Sequence, residues 1–286
     1  MVKIIADSTC DLSKELLNEY DITIVPLHII CLDADFLDGK SISPEEIFEW
    51  SEANKTTPKT SAVAPSEAMD AIRPIVEAGN DVICISISDE LSTTGNVMRL
   101  TAQMLNEEAG REQVKVINSG SLSTGIGLLV IEAAIMAKDG MEAYKIVERI
   151  EALVPRVRAS FVVDTLTYLH RGGRCSGLAA LAGGALKLHP KIVVKNGKLE
   201  VDKKYRGSMK YVLIQYTHEM LDLFMNAKTD RIFITHALCE REIIDAVHEY
   251  ISELGIFDEI LETTAGGVIS SHCGPGTLGV LFLEKE

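Results

Sequence analysis

Three adjacent hydroxyls and one distant histidine are the residues of this chain best suited to holding an anion. Ser92, Thr93 and Thr94 follow Asp81-Val82-Ile83-Cys84-Ile85, an apolar, β-branched run suited to a buried parallel strand. They precede Val97, Met98, Thr101, Met104 and Leu105, which recur at helical spacing. A strand feeding a helix through hydroxyls places side-chain donors and unpaired helix N–H groups at the carboxyl end of a sheet, where α/β proteins bind ligands. Capping alone also favours Ser and Thr there, but three hydroxyls exceed the need of one cap. With no basic residue before Arg99, the turn suits one small acidic group better than a polyphosphate.

Further candidates are scattered along the chain. Thr60 and Ser61 lie in a proline-punctuated connection, 55–66, which is longer than a turn needs. On spacing alone they read as polar loop. His272 stands between Gly266-Gly267 and Gly274-Pro275-Gly276, where the backbone can approach a ligand closely. It reads as a loop histidine able to donate to a carboxylate or to act as acid or base. Arg171 and Arg174 flank Gly172-Gly173, a flexible cationic loop in an acidic chain, either a solvated turn or a dock for phosphate or an acidic partner. Asp7 and Asp11 end the first strand and read as caps with a supporting role. Brought together in space, Ser92, His272 and Asp7 would form a hydrolytic triad, so a lipid esterase is the alternative from a different class. A binding module for another small carboxylate is a third.

The elements that must position these residues alternate. A strand at 2–6 leads to a helix at 12–20, and 22–31 reads as continuous β-structure with a hairpin partner or loop at 35–40. Ser43, Pro44 and Glu46 form a helix start of capping-box type. Helices follow at 66–77, 119–138 (strongly apolar) and 141–153, with strands at 81–85 and 114–118. Pro155 to Arg158 is the expected boundary, dividing the chain into domains 1–156 and 157–286. Beyond it we expect a strand at 159–163, a small-residue helix at 177–188 and a hairpin at 192–201 turning on Asn196-Gly197. Then come helices at 209–225 and 240–254, strands at 231–236 and 278–283, and a glycine-rich loop at 265–277. The order implies an α/β fold with mostly parallel sheets.

Bulk properties narrow the partners. The 286 residues can bury a substantial core, and 28 Lys plus Arg against 42 Asp plus Glu leave a net charge of −14. That balance argues against nucleic acid or an anionic membrane as the main partner. Six cysteines without a CxxC pair read as reduced thiols, with no metal site. Met1 leads straight into a strand and the longest apolar tract is interrupted by Glu132, so we expect no signal peptide, no membrane insertion and a cytoplasmic protein. GxGxxG, Walker, HExxH and GxSxG patterns are absent from the sequence.

With these residues in view, the chain resembles the DegV family of bacterial fatty-acid-binding proteins from end to end. Asp7-Ser8-Thr9-Cys10-Asp11-Leu12 is similar to its opening DSxxDL, Lys59-Thr60-Ser61 to its KTS loop and Leu91-Ser92-Thr93-Thr94 to LSGT. Leu169-His170-Arg171-Gly172-Gly173-Arg174 resembles LxRGGR, and Ser271-His272-Cys273-Gly274-Pro275-Gly276 resembles THxGPG. The resemblance implies two α/β domains with a long acyl chain, such as palmitate, in a tunnel between layers, and no cofactor or intrinsic catalysis. It implies that Thr60, Ser61 and Ser92, with Thr93 and Thr94 beside them, bind the carboxylate, with His272 nearby. It further implies presentation of the fatty acid to an ATP-dependent fatty acid kinase subunit, which forms an acyl phosphate, with Arg171 and Arg174 as partner or phosphoryl contacts. The helices at 119–138 and 177–188 are the expected tunnel walls. Three features depart from the pattern: Thr93 stands for the usual glycine, Gly95 stands where an aromatic residue is common, and Ala62-Val63-Ala64-Pro65 replaces the usual Gln-Pro after Thr60-Ser61.

Overall fold

Apolar β-branched runs alternate with amphipathic ones through the first half of the chain, and strands alternate with helices accordingly. The computed structural model describes residues 1–175 and 188–285. The first half comprises β1 (Val2–Asp7), α1 (Lys14–Glu19), β2 (Ile22–Val25), β3 (His28–Cys31), β4 (Ala34–Leu37), α2 (Pro44–Asn54), β5 (Lys59–Ser61), α3 (Pro65–Glu77), β6 (Asp81–Ser86), α4 (Thr94–Ala109), β7 (Val114–Asn118), α5 (Thr124–Lys138) and α6 (Ala143–Leu153). Strands β2-β1-β6-β7 form a parallel sheet, and β4-β3-β5 a small antiparallel one. The run at 22–31 is therefore two strands in two sheets. Pro26 ends the first, because it has no N–H to continue a ladder. The connection at 55–66 likewise holds a strand, with Thr60 paired to Ile29. The start of α2 is the expected capping box of Ser43 and Glu46.

A 3₁₀ turn at Val154–Arg156 leads into the second half. There follow β8 (Val157–Val162), α7 (Thr167–Gly172), β9 (Leu188–Lys195), β10 (Lys198–Arg206), α8 (Met209–His218), α9 (Leu221–Phe224), β11 (Ala227–Ala237), α10 (Arg241–Glu253), β12 (Glu259–Thr264), α11 (Gly267–Cys273) and β13 (Thr277–Glu284). These strands make one sheet in the order β10-β9-β8-β13-β11-β12. The mixed α/β class is as expected, but parallel pairing is confined to the first sheet and to β11–β12; the other pairings of the second sheet are antiparallel. The Asn196-Gly197 turn imposes that direction on β9 and β10. The expected helix at 177–188 lies outside the described residues except for Leu188, which opens a strand. Three expectations need correction: 209–225 breaks into α8 and α9, α5 starts only at Thr124, and the glycine-rich loop at 265–277 contains helix α11; strand β12 had no counterpart in the sequence reading.

Helix α5 joins the halves. It is apolar all round, with Ile126, Leu128, Leu129, Val130 and Ile131 fully buried, as a helix with protein on every side must be. It packs against β1 and β6 on one side and β8 and β13 on the other, within one apolar cluster that includes Ile4, Ile85, Phe161 and Phe233. Its single acid, Glu132, takes Lys228 at 2.8 Å and Arg231 at 2.7 Å, both on β11. Among the described residues no helix is long and apolar enough to cross a membrane. Removing one partner from a largely buried ion pair leaves the other charges uncompensated. Glu132→Ala is therefore expected to lower unfolding free energy by about 3 kcal/mol in urea denaturation.

Candidate ligand-binding site

The aspartates that open the chain are fully committed to structure. Asp7 is buried at the end of β1; its Oδ1 accepts from the Thr9 N–H and hydroxyl, and its Oδ2 from the Ile87 N–H at 2.8 Å. It therefore ties the end of β1 to the exit of β6. Asp11 accepts from the Gly266 N–H at 2.8 Å and the Ser123 hydroxyl at 2.6 Å. Asp38 accepts from the Gly267 N–H at 2.7 Å and the Ser8 hydroxyl at 2.8 Å. Two carboxylates thus stand at the amino end of α11, where unpaired N–H groups and the helix dipole favour negative charge. A Cβ on Gly267 would lie 2.5 Å from the Ile29 side chain and 2.7 Å from that of Ile47, so glycine lets the helix seat. Burial, only partly offset by these hydrogen bonds, raises all three carboxyls, Asp38 to about 6.

Held this way, α11 delivers His272 to β5. The ring Nε2 lies 2.8 Å from Thr60 Oγ1, while Nδ1 is buried without a partner among the described residues. A Cβ on Gly172, at the end of α7, would stand 2.3 Å from Nδ1, which shows how closely that helix closes over the ring. Burial, with Arg174 adding to it, lowers the His272 pKa to about 4. The ring is neutral at physiological pH and a weak base. Ser92 is not its partner: the Ser92 hydroxyl pairs with Thr94 Oγ1 at 3.0 Å and accepts from the Thr94 N–H. The triad of Ser92, His272 and Asp7 that the alternative reading needs is not assembled, because each member is hydrogen-bonded elsewhere.

Both sets of hydroxyls meet at a cavity of about 480 Å³ lined by Thr60, Ser61, Ser92, Thr93, His272 and Arg174. Its remaining wall is largely aliphatic, from Leu27, Ile87, Leu122, Leu199, Val268 and Ile269, with two acids, Asp89 and Glu90. Thr94 does not line it; the side chain is fully buried, turned inward to Ser92. Thr93 has φ −88°, an ordinary value, so a side chain is accommodated without backbone strain where glycine was expected. A Cβ on Gly95 would come 2.4 Å from Asp89 Oδ1, the carboxylate paired with Arg99 at 2.8 Å; an aromatic residue would displace that pair.

The two arginines separate. Helix α7 runs through Gly172, so the segment is not one flexible loop: Arg174 lines the cavity, its Nη1 donating to the Gly172 carbonyl at 2.6 Å, whereas Arg171 faces an outer groove. Arg174 is the one basic side chain other than the neutral histidine on the cavity wall among the described residues. The expected wall from 119–138 also changes: α5 lies in the core, and Leu122, before it, reaches the cavity. Sequence reasoning missed Asp38, whose loop carried no motif. It also missed the tip of the β9–β10 hairpin, where Gly197 accepts from the Ser88 hydroxyl at 2.7 Å and brings Leu199 over the cavity.

Comparison with known proteins agrees in fold over the full length. A family model described as an uncharacterised protein of the DegV family matches residues 1–285. A DegV domain-containing protein of Deinococcus radiodurans is 32% identical over 281 residues, covering 98% of this chain and 97% of that protein. The structure of a fatty-acid-binding DegV family protein from Thermus thermophilus matches with a TM-score of 0.89 at 28% identity, covering 99% of each chain. That of a stearic-acid-binding protein from Eubacterium ventriosum matches with a TM-score of 0.87 at 26% identity, covering 100% of this chain and 99% of the other.

The buried ionisable groups make opposite contributions to stability. His272, lowered to about 4, gives stability that is present above its ordinary 6.5 and lost as pH falls between those values. Asp38, raised to about 6, does the reverse: the folded state holds the proton more tightly, so stability rises as pH falls from 6 towards the ordinary carboxyl range. Denaturation at a series of pH values should show H272N gaining stability relative to the parent on acidification from pH 6.5 to 4. D38N should lose it. Parallel profiles for all three proteins would contradict the assignment.

Proposed function

The chain belongs to the DegV family, and from that premise we propose that it binds a long-chain fatty acid and presents the carboxylate to an ATP-dependent kinase subunit for conversion to an acyl phosphate. The observation that carries the binding reading is a cavity whose wall combines hydroxyls and one arginine with a majority of aliphatic side chains, its two acids, Asp89 and Glu90, being paired with Arg99 and Lys198. At about 0.8 kcal/mol per buried CH₂, some fourteen methylenes contribute on the order of 10 kcal/mol before ordering costs. Hydrogen bonds to the charged head group add about 1.5–3 kcal/mol each. The tail supplies most of the affinity, and the polar end supplies orientation.

Thr60, Ser61, Ser92 and Thr93 are the proposed anchors, with Arg174 as counter-charge. His272 acts through Thr60. A buried N–H without an acceptor is rarer than a buried lone pair without a donor, so the proton of the neutral ring sits on Nε2 and is donated to Thr60 Oγ1. The Thr60 O–H is then left to donate to the carboxylate. In the transfer, a carboxylate oxygen bonds to the γ-phosphorus of ATP as the bond to ADP breaks. The Arg174 guanidinium beside that oxygen would offset the charge of the transferred group.

Native mass spectrometry after bacterial expression should find the protein carrying a long-chain fatty acid. An empty protein that takes none up would refute the reading, and another carboxylate in its place would redirect it. Thr60→Val removes one charge-assisted hydrogen bond and is expected to weaken fatty-acid binding about tenfold or more, and by leaving the buried His272 N–H without its acceptor to lower unfolding free energy by about 1–3 kcal/mol. Arg174→Ala is expected to weaken both binding and phosphorylation, since the side chain lines the cavity; loss of phosphorylation alone would place it on the partner's surface instead.

A further inference from the structure

A second concavity, of about 630 Å³, lies outside the ligand cavity between α2, α7 and the turns at Leu238 and Pro275. Glu45, Glu49 and Glu52 line one wall, spaced so that they share a face of α2 with Phe48. Phe48 meets Tyr168 of α7 edge to face, with ring centroids 5.8 Å apart. Arg171 stands at the rim, exposed, and among the described residues none of the three glutamates nor Arg171 has an ion-pair partner. Lys55 and Leu238, both in the groove, hold left-handed backbone at φ 52° and 51°. For a bulky residue such as Leu238, that conformation persists only where the surrounding structure enforces it.

We propose that this groove docks a basic segment of a second protein, with lysines or arginines one helical turn apart against Glu45, Glu49 and Glu52 and an acidic residue against Arg171. An aromatic floor with an arginine at its edge is the composition of an interface hot spot, and three glutamates against the one lysine of that wall, Lys55, leave it net acidic, which selects a basic partner and speeds encounter. A second copy of this chain, with its net charge of −14, complements the wall poorly. The groove also touches the ligand site through one element. Tyr168 on α7 forms its floor, packed against Gly274, while Gly172 at the end of the same helix covers His272. A partner seated here lies one helix away from the head group.

The proposal rests on the reading that a kinase subunit takes up the loaded protein, and its test separates the two. The fatty-acid-loaded parent, E49K/E52K and the remote pair E148K/E151K are compared for binding to the purified ATP-dependent kinase subunit at low and moderate salt. Native mass spectrometry checks their fatty-acid content. Expected is a loss of about tenfold or more in E49K/E52K, mostly in association rate and with a flatter salt dependence, with fatty acid retained and the remote pair unchanged. Parent-like binding by E49K/E52K would overturn the groove alone, as would equal loss in the remote pair, which would reflect net charge. A change of oligomeric state in E49K/E52K without loss of kinase binding would make the groove a self-interface and also overturn the proposal. A parent that does not bind the kinase subunit would overturn the partner reading and this inference together.

Discussion

The position of His272 depends on carboxylates at the amino end of α11, supplied by residues 255 and 229 positions earlier in the chain. Contacts so distant in sequence require the whole fold to be formed first, and each carboxylate is in turn fixed by a serine, Ser123 for Asp11 and Ser8 for Asp38. Ile29 closes the arrangement from the other side. Its side chain packs against Gly267, and its backbone pairs with Thr60. The same strand thus seats the helix that carries the histidine and the strand that carries its hydroxyl partner, so the 2.8 Å contact between them follows from packing on both sides.

An acidic protein that takes up an anion must do so by local means. Arg174 provides the positive charge at the cavity, and the acids nearby are already paired: Asp89 with Arg99 at 2.8 Å and Glu90 with Lys198 at 3.4 Å. Exposed pairs of this kind add little to stability. Their effect here is on the field at the mouth, where two unpaired carboxylates would repel a third. The pair at Glu90 also ties the hydroxyl-bearing turn to the β9–β10 hairpin, next to the contact between Ser88 and Gly197. Charge neutralisation and closure of the aliphatic wall are accomplished by the same contacts.

What was legible in the sequence was local chemistry. The capping box at Ser43 and Glu46, the Asn196-Gly197 turn and the hydroxyls at 92–93 carry signals that act over a few residues, and each stands where expected. Misreadings came where tertiary contacts override local pattern. A β-rich run from 22 to 31 contains nothing that assigns its halves to different sheets except Pro26. The glycines around His272 suggested a loop because glycine disfavours helix, yet Gly267 is needed inside one by the approach of Ile29 and Ile47. Asp38 had no motif to mark it, since its importance lies wholly in contacts made across the fold. The pair Arg171 and Arg174 looked like one cationic feature because sequence cannot show a helix end falling between them.

The two departures at the hydroxyl turn have a common structural setting. Position 93 precedes α4 with φ −88°, so a threonine there costs no backbone strain and adds a hydroxyl to the cavity wall. Position 95, the second residue of α4, faces the Asp89–Arg99 pair so closely that any side chain would displace it. In this chain the glycine, and with it the close approach, is at 95 and not at 93. Arg99 can then reach back to Asp89 and to Asn96, at 2.8 and 2.6 Å, and neutralise an acid that lines the cavity. A turn with an aromatic at 95 would have to discharge Asp89 in another way or omit it, so residues 89, 93, 95 and 99 are best regarded as one solution to exposing hydroxyls beside a neutralised acidic rim.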